Sequence, residues 1–255
     1  MALGTVILAG GIYSNSLVRD NLPSASLTLE EAVGQMLVIG FRGESLDREI
    51  LTVLKDIKPG GVVLFDYDFS SKGEEIRNII SPEQLRALNR DLQETSSLPY
   101  FIALDAEGGY VNRLKEKYGF SVVVPSAKEL GAQSPDQTKE IATELAVELK
   151  DMGINWNFAP VVDVNINAES PAIGAIERSF SNDPAIVAAH ANAFIKAHQE
   201  QNIIPTLKHF PGHGSARGDT HLGIVDVTKT YQVEKELAPY QELIGNGYDL
   251  SLIHI

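Results

Sequence analysis

Cysteine is absent from this chain of 255 residues. That excludes disulfide frameworks, thiolate nucleophiles and cysteine-based zinc sites, while leaving the compartment open. Positive charge is scarce: 21 Lys and Arg stand against 34 Asp and Glu, a formal net charge of −13. A surface that holds a phosphate backbone needs clustered cations, so no nucleic-acid partner is expected and a neutral small molecule suits the balance better. Long apolar runs are missing too; Gly4 to Ile12 is too short to span a membrane as a lone helix. No glycine-rich dinucleotide fingerprint follows a strand, because Gly108-Gly109 lacks both the spacing and the downstream acid. Internal repeats and low-complexity linkers are also lacking, so one domain is the economical reading and no cofactor is expected.

Hydrophobic and charged contents of 44% and 22% are ordinary globular values, and the length is ample for one large α/β core. Residues 1–27 read as an N-terminal arm or the remnant of a leader. Gly4 to Ile12 is apolar and small, yet no Lys or Arg precedes it and Gly10-Gly11 interrupts it. From Thr28 onward, strand and helix signals alternate in the βαβα rhythm of a parallel α/β fold. Thr28 followed by Glu31 forms a capping-box pattern that opens a helix. Continuous apolar runs mark strands at Met36–Phe41, Gly61–Phe65, Tyr100–Leu104, Trp156–Val162, Ile203–Leu207 and Leu250–Ile255. Helical patterns lie between them at Pro82–Ser96, Ser134–Met152 and Asp183–Asn202. Polar residues follow the strand ends: Asp66, Asp105, Asp163, Lys208 and His209. A parallel barrel and an open doubly wound sheet both put their ligand at that edge.

Three of the six histidines fall between His209 and His221. They belong to Lys208-His209-Phe210-Pro211-Gly212-His213-Gly214 and the following Asp219-Thr220-His221. Residues two apart in an extended segment point to one side, so Asp219 can hydrogen-bond His221, fix its tautomer and raise its basicity. That pairing makes a proton shuttle near neutral pH. The rival reading is a metal site built from His209, His213, Asp219 and His221. Pro211, Gly212 and Gly214 forbid the regular helix on which a His-x-x-x-His pair binds zinc, so the ligands would have to converge from an irregular loop. Lys208 and His209 supply a cation and a donor–acceptor ring for gripping hydroxyls. The bland alternative is a lysine snorkelling beside a core histidine.

A second constellation is Asp105-Ala106-Glu107-Gly108-Gly109 with Arg113. Asp105 at a strand end can accept two sugar hydroxyls, or be a simple turn aspartate. Glu107 reads as a brace for the glycine turn. Arg178, in Glu177-Arg178-Ser179-Phe180, is weak evidence by itself, since most arginines are solvated. Trp156 is more often core than a sugar platform.

Taken together, these segments resemble glycoside hydrolase family 3, in its β-N-acetylhexosaminidase branch, over nearly all of the chain past Thr28. Asp105-x-Glu107-Gly108-Gly109-x-Val111-x-Arg113 is similar to a family segment, with Tyr110 replacing its usual inner arginine. Asn157-Phe158-Ala159-Pro160-Val161-x-Asp163-Val164 and Glu177-Arg178-Ser179-Phe180 resemble two others. Lys208 to Gly214 with Asp219-x-His221 is the most specific match. The resemblance implies a (β/α)₈ barrel, here its first six strand–helix units, with residues 28–255 an incomplete catalytic domain. It implies a small carbohydrate substrate, a terminal β-linked N-acetylglucosamine, held by Asp105, Arg113, Arg178, Lys208 and His209. His221 is then the acid/base, assisted by Asp219, in a retaining mechanism that departs from the two-carboxylate scheme. The family's nucleophile is an aspartate in a Ser-Asp-Asp-type segment, which these 255 residues do not contain. The expectation is therefore a chain truncated after its sixth strand and inactive alone. A sugar-binding remnant, a phosphorylase and a metal-dependent hydrolase are the alternatives.

Overall fold

The computed structural model describes residues 27–68, 75–248 and 250–253. The arm assigned to residues 1–27 therefore lies outside the described residues except for Leu27. Helix α1 (Leu29–Gln35) opens with the expected capping box: Thr28 Oγ1 accepts from the Glu31 N–H at 3.2 Å, and Glu31 accepts from the Thr28 N–H at 3.0 Å. The chain continues through β1 (Val38–Gly40), α2 (Arg48–Ile57), β2 (Gly61–Val63), α3 (Pro82–Glu94) and β3 (Phe101–Leu104). A small antiparallel hairpin follows at once, β4 (Ala106–Gly108) with β5 (Val111–Asn112). Then come α4 (Ala127–Gly131), α5 (Pro135–Asp151), β6 (Trp156–Asn157), α6 (Pro184–Glu200), β7 (Ile204–Pro205), β8 (Leu207–Phe210), α7 (Val233–Glu236), α8 (Ala238–Gly245) and β9 (Ser251–Ile253). Ser81, Ser134 and Asp183 cap α3, α5 and α6, each with proline in the first turn, where its missing N–H costs nothing.

Strands β1, β2, β3, β6 and β7 pair in chain order, every pair parallel. A parallel bridge from Val161 to Lys208 carries the wall onward, and β8 pairs in parallel with β9. Strand order that never reverses, with a helix in each crossover, is the course of a (β/α) barrel wall; a doubly wound sheet would turn back at its switch point. All six strand regions read from the sequence appear. Two of them are broken by proline. Pro160 and Pro205 cannot donate to a ladder, so the fourth region contracts to Trp156–Asn157 plus a bridge, and the fifth splits into β7 and β8.

Both faces of the wall are apolar, as strands covered on two sides require. Val62, Leu64, Ile102 and Leu104 share one core cluster with helix residues such as Leu88 and Leu145. Val38, Val63, Ala103, Trp156 and Phe158 alternate with them and form a separate inner cluster. Trp156 is thus core: its ring meets Phe101 and Phe158 edge-on at 5.7 and 5.0 Å, and its Nε1–H donates to Thr206 at 2.6 Å.

Candidate active site

Asp105 follows the end of β3 directly, whereas Lys208 and His209, expected past a strand end, lie within β8. Lys208 is 2% exposed, and its ammonium lies 2.7 Å from Asp105 and 2.5 Å from Glu107. Asp105 and Glu107 are two apart across Ala106, so both carboxylates turn to the same side and meet that one cation. Arg113, from the far arm of the β4–β5 hairpin, bridges Asp105 at 3.2 Å and Asp66 at 3.3 Å. Lys115 adds a second contact to Asp66. Arg178 grips Glu107 through Nε and Nη2, both at 2.8 Å, and donates through Nη1 to the Ala172 carbonyl. Its Nη2 also lies 3.1 Å from His209 Nε2. The guanidinium can only donate, so Nε2 accepts and the His209 proton sits on Nδ1, which donates to Asp163 at 2.6 Å.

Four carboxylates (Asp66, Asp105, Glu107, Asp163) are interleaved here with four cations (Arg113, Lys115, Arg178, Lys208). Their alternation sets the protonation states. Burial pushes the Asp105 carboxyl up, but Lys208 and Arg113 more than reverse it and hold it well below the usual carboxylate range. Glu107 behaves alike, with Arg178 and Lys208 overcoming burial. For Asp163, burial is outweighed by His209 and by the backbone N–H groups it accepts. Burial, aided by Arg178 and Lys208, pushes the His209 imidazole down despite Asp163, so the ring is a neutral, oriented donor. Asp105 is the most exposed of the four carboxylates, its side chain 18% exposed against 5% for Glu107 and 0% for Asp163 and Asp66.

The histidine loop leaves from this lattice. Asp163 also accepts from the His213 backbone N–H at 2.7 Å, and the buried Glu236 accepts from the Ser215 N–H at 3.2 Å. Gly214 is required here, since a Cβ would lie 1.7 Å from the Val164 carbonyl oxygen. Farther out, Asp219 and His221 form the expected pair, with His221 Nδ1 at 2.7 Å and its N–H at 2.9 Å from Asp219 Oδ1. Thr220, between them, lies 3.3 Å from His213 Nε2 and lines a cavity of about 370 Å³ with His209, His213, Val227 and Tyr231.

The structure thus brings Asp105, Arg113, Arg178, Lys208 and His209 into one contact network, and puts Asp219 and His221 on the loop that rises from it. Lys208 does not snorkel. Glu107 is not a brace for its glycine turn but the partner of Arg178 and Lys208. Asp163 and Asp66 had no assigned role; their position after a strand was the available signal. Among the described residues, no three His, Asp or Glu side chains are grouped to hold a metal ion. Both His209 ring nitrogens are already engaged. No helix of the described residues is long and apolar enough to cross a membrane.

Comparison with known proteins gives this arrangement a context. The family model "Glycosyl hydrolase family 3 N terminal domain" matches residues 28–254. A β-hexosaminidase of Xylella fastidiosa (strain M23) is 36% identical over 223 residues, covering 84% of this chain and 62% of its own length. The chain therefore spans about three fifths of that curated relative. Among solved structures, a glycoside hydrolase family 3 β-N-acetylglucosaminidase from Paenibacillus sp. str. FPU-7 superposes with a TM-score of 0.77 at 31% identity, over 89% of this chain and 41% of that one. NagZ from Neisseria gonorrhoeae, in complex with N-trifluoroacetyl-D-glucosamine, gives 0.72 at 28% identity, over 84% and 62%.

Proposed function

We propose, from the premise that this chain belongs to glycosyl hydrolase family 3, that it forms the sugar-holding part of a β-N-acetylhexosaminidase. The observation that carries the reading is the Asp105–Lys208–Glu107–Arg178–His209 network at the strand ends, in a family whose similar members are named for that activity. Asp105, the most exposed of the four carboxylates, accepts hydrogen bonds from the hydroxyls of a terminal N-acetylglucosamine. Lys208, Arg113, Arg178 and neutral His209 fix its carboxylate and the ring around it.

His221, held by Asp219, then protonates the departing glycosidic oxygen and later takes a proton from the attacking water. The first step needs a carboxylate at the anomeric carbon, giving a glycosyl ester with retention overall. We assign that carboxylate to none of the residues above. Asp105 is tied to Lys208 and Arg113, Glu107 to Arg178, and Asp163 to His209, so each is committed to positioning. The nucleophile is read as belonging to a Ser-Asp-Asp-type segment outside these 255 residues.

Two measurements test the proposal. Calorimetric titration of the chain with N-acetylglucosamine should show binding that Asp105→Ala abolishes; binding unchanged in the variant would remove the assigned pocket. A chromogenic N-acetyl-β-glucosaminide should not be hydrolysed by residues 1–255 alone. Turnover by that material would put the nucleophile inside the chain and overturn the assignment.

A further inference from the structure

Outside the ionic lattice, one fully buried polar chain runs from α6 to the backbone between the two carboxylates that hold Lys208. Asn157, the last residue of β6, faces Ala106 with both ends of its amide. Its Oδ1 accepts from the Ala106 N–H at 3.0 Å, and its Nδ2 donates to the Ala106 carbonyl at 3.0 Å. The amide prolongs the β3–β6 ladder by one rung after β3 has ended, since the last backbone pairing there is Phe158 N–H to Leu104 O. The second Nδ2 proton goes to His198 Nε2 at 3.0 Å, and His198 Nδ1 lies 3.0 Å from the Phe194 carbonyl.

The proton positions follow by elimination. Phe194 O can only accept, so His198 carries its proton on Nδ1 and accepts through Nε2. Ala106 N–H can only donate and Ala106 O can only accept, which fixes the Asn157 amide in the orientation that offers Nδ2 to His198. Asn157 and His198 are both 0% exposed, so no water competes. Phe194 stacks on the imidazole at 4.2 Å and 18°, holding the ring plane. Each side-chain donor and acceptor of Asn157 and His198 is thus engaged, in one direction only.

We infer that Asn157 and His198 are positioning residues for the sugar pocket: they lock the peptide at Ala106 and thereby hold Asp105 and Glu107 at the separation that seats Lys208 between them. Their effect on sugar affinity rests on the proposed pocket; their effect on the Ala106 peptide does not. Losing the His198 acceptor leaves a buried Asn157 N–H without a partner and frees the amide to turn, which removes one or both bonds to Ala106. A histidine kept only for packing would be replaceable by any residue of similar volume, with no local consequence at Ala106.

Amide hydrogen exchange and calorimetry on the 255-residue chain separate these cases, using His198→Phe, His198→Gln and Asn157→Ser. In His198→Phe and Asn157→Ser the Ala106 N–H should exchange about tenfold faster, while Val63 in β2 exchanges as before. N-acetylglucosamine affinity should fall about tenfold in both. Gln at position 198 offers a carbonyl oxygen where Nε2 stood, and should restore exchange and affinity to within about twofold. Unchanged Ala106 exchange in His198→Phe and Asn157→Ser would overturn the inference, as would failure of His198→Gln to rescue. If His198→Phe loosens every amide, Asn157→Ser alone decides. Faster Ala106 exchange in a chain whose wild type binds no N-acetylglucosamine would keep the positioning role and dismiss the pocket instead.

Discussion

His209 and His221 are each paired through Nδ1 to an aspartate, at 2.6 and 2.7 Å, yet their side chains are 5% and 53% exposed. Around His209 the second ring nitrogen is taken by Arg178, and the aspartate is taken again by two backbone N–H groups. Around His221 the aspartate is bound locally, two residues away on one loop. The same dyad therefore stands in opposite surroundings. One is buried and gripped from all sides, so its ring is a fixed donor to Asp163; the other stands half in solvent, with Asp219 bound to it within one loop.

Breaking the inner network should have the largest effect. Lys208→Met leaves the buried Glu107 and the partly exposed Asp105 without their shared cation, a loss expected to destabilise the chain by about 3–5 kcal/mol. Urea unfolding reads it, and a loss below about 1 kcal/mol would mean that the lattice relaxes around a gap. The outer dyad should respond the other way. In a protein extending over the relatives' length, His221→Ala should lower turnover about 10²–10⁴-fold while the unfolding midpoint stays put. A large stability loss there would erase the contrast between the two histidines.

That contrast also explains what the sequence disclosed. Lys208, His209, Asp219 and His221 were legible because they crowd into one short stretch after an apolar run, and the six strands because parallel strands read as continuous apolar stretches. Glu107 was misread because its partners, Arg178 and Lys208, stand 71 and 101 residues away, and no local spacing reports a contact of that range. Asp163 and Asn157 escaped for the same reason: each binds groups about 50 residues distant through the barrel wall. Proline gave the remaining error. The runs through Pro160 and Pro205 have strand composition, but a missing N–H shortens the ladder whatever the flanking residues prefer.

Acid should separate the two regions by degree. Burial lowers the His198 imidazole to about 4 from an ordinary 6.5. A depressed histidine contributes stability that is complete above pH 6.5 and is lost as pH falls from 6.5 to 4, about 3 kcal/mol at most. His209 is shifted the same way and adds to that limb. Asp105, Glu107 and Asp163 are also depressed, so their contribution is present above the ordinary carboxylate range and disappears at lower pH. Stability measured against pH should show two acid limbs, and His198→Gln should reduce only the upper one. An unchanged upper limb in that variant would place its origin elsewhere.

The smallest effect sharpens the comparison most. Asp219→Asn keeps an oxygen able to accept from the His221 N–H and Nδ1, and removes only the charge. The pair is exposed, and exposed ion pairs contribute little, so stability should stay within about 0.5 kcal/mol of wild type. The corresponding change inside, Asp163→Asn, also presents two donors where Asp163 offered only acceptors to two backbone N–H groups and His209. One amide orientation cannot satisfy all three, and the cost should reach about 1–3 kcal/mol. Comparing the unfolding midpoints of Asp163→Asn and Asp219→Asn thus isolates burial as the variable, because the chemical change is identical. Equal midpoints would show that the inner aspartate is no more tightly committed than the outer one.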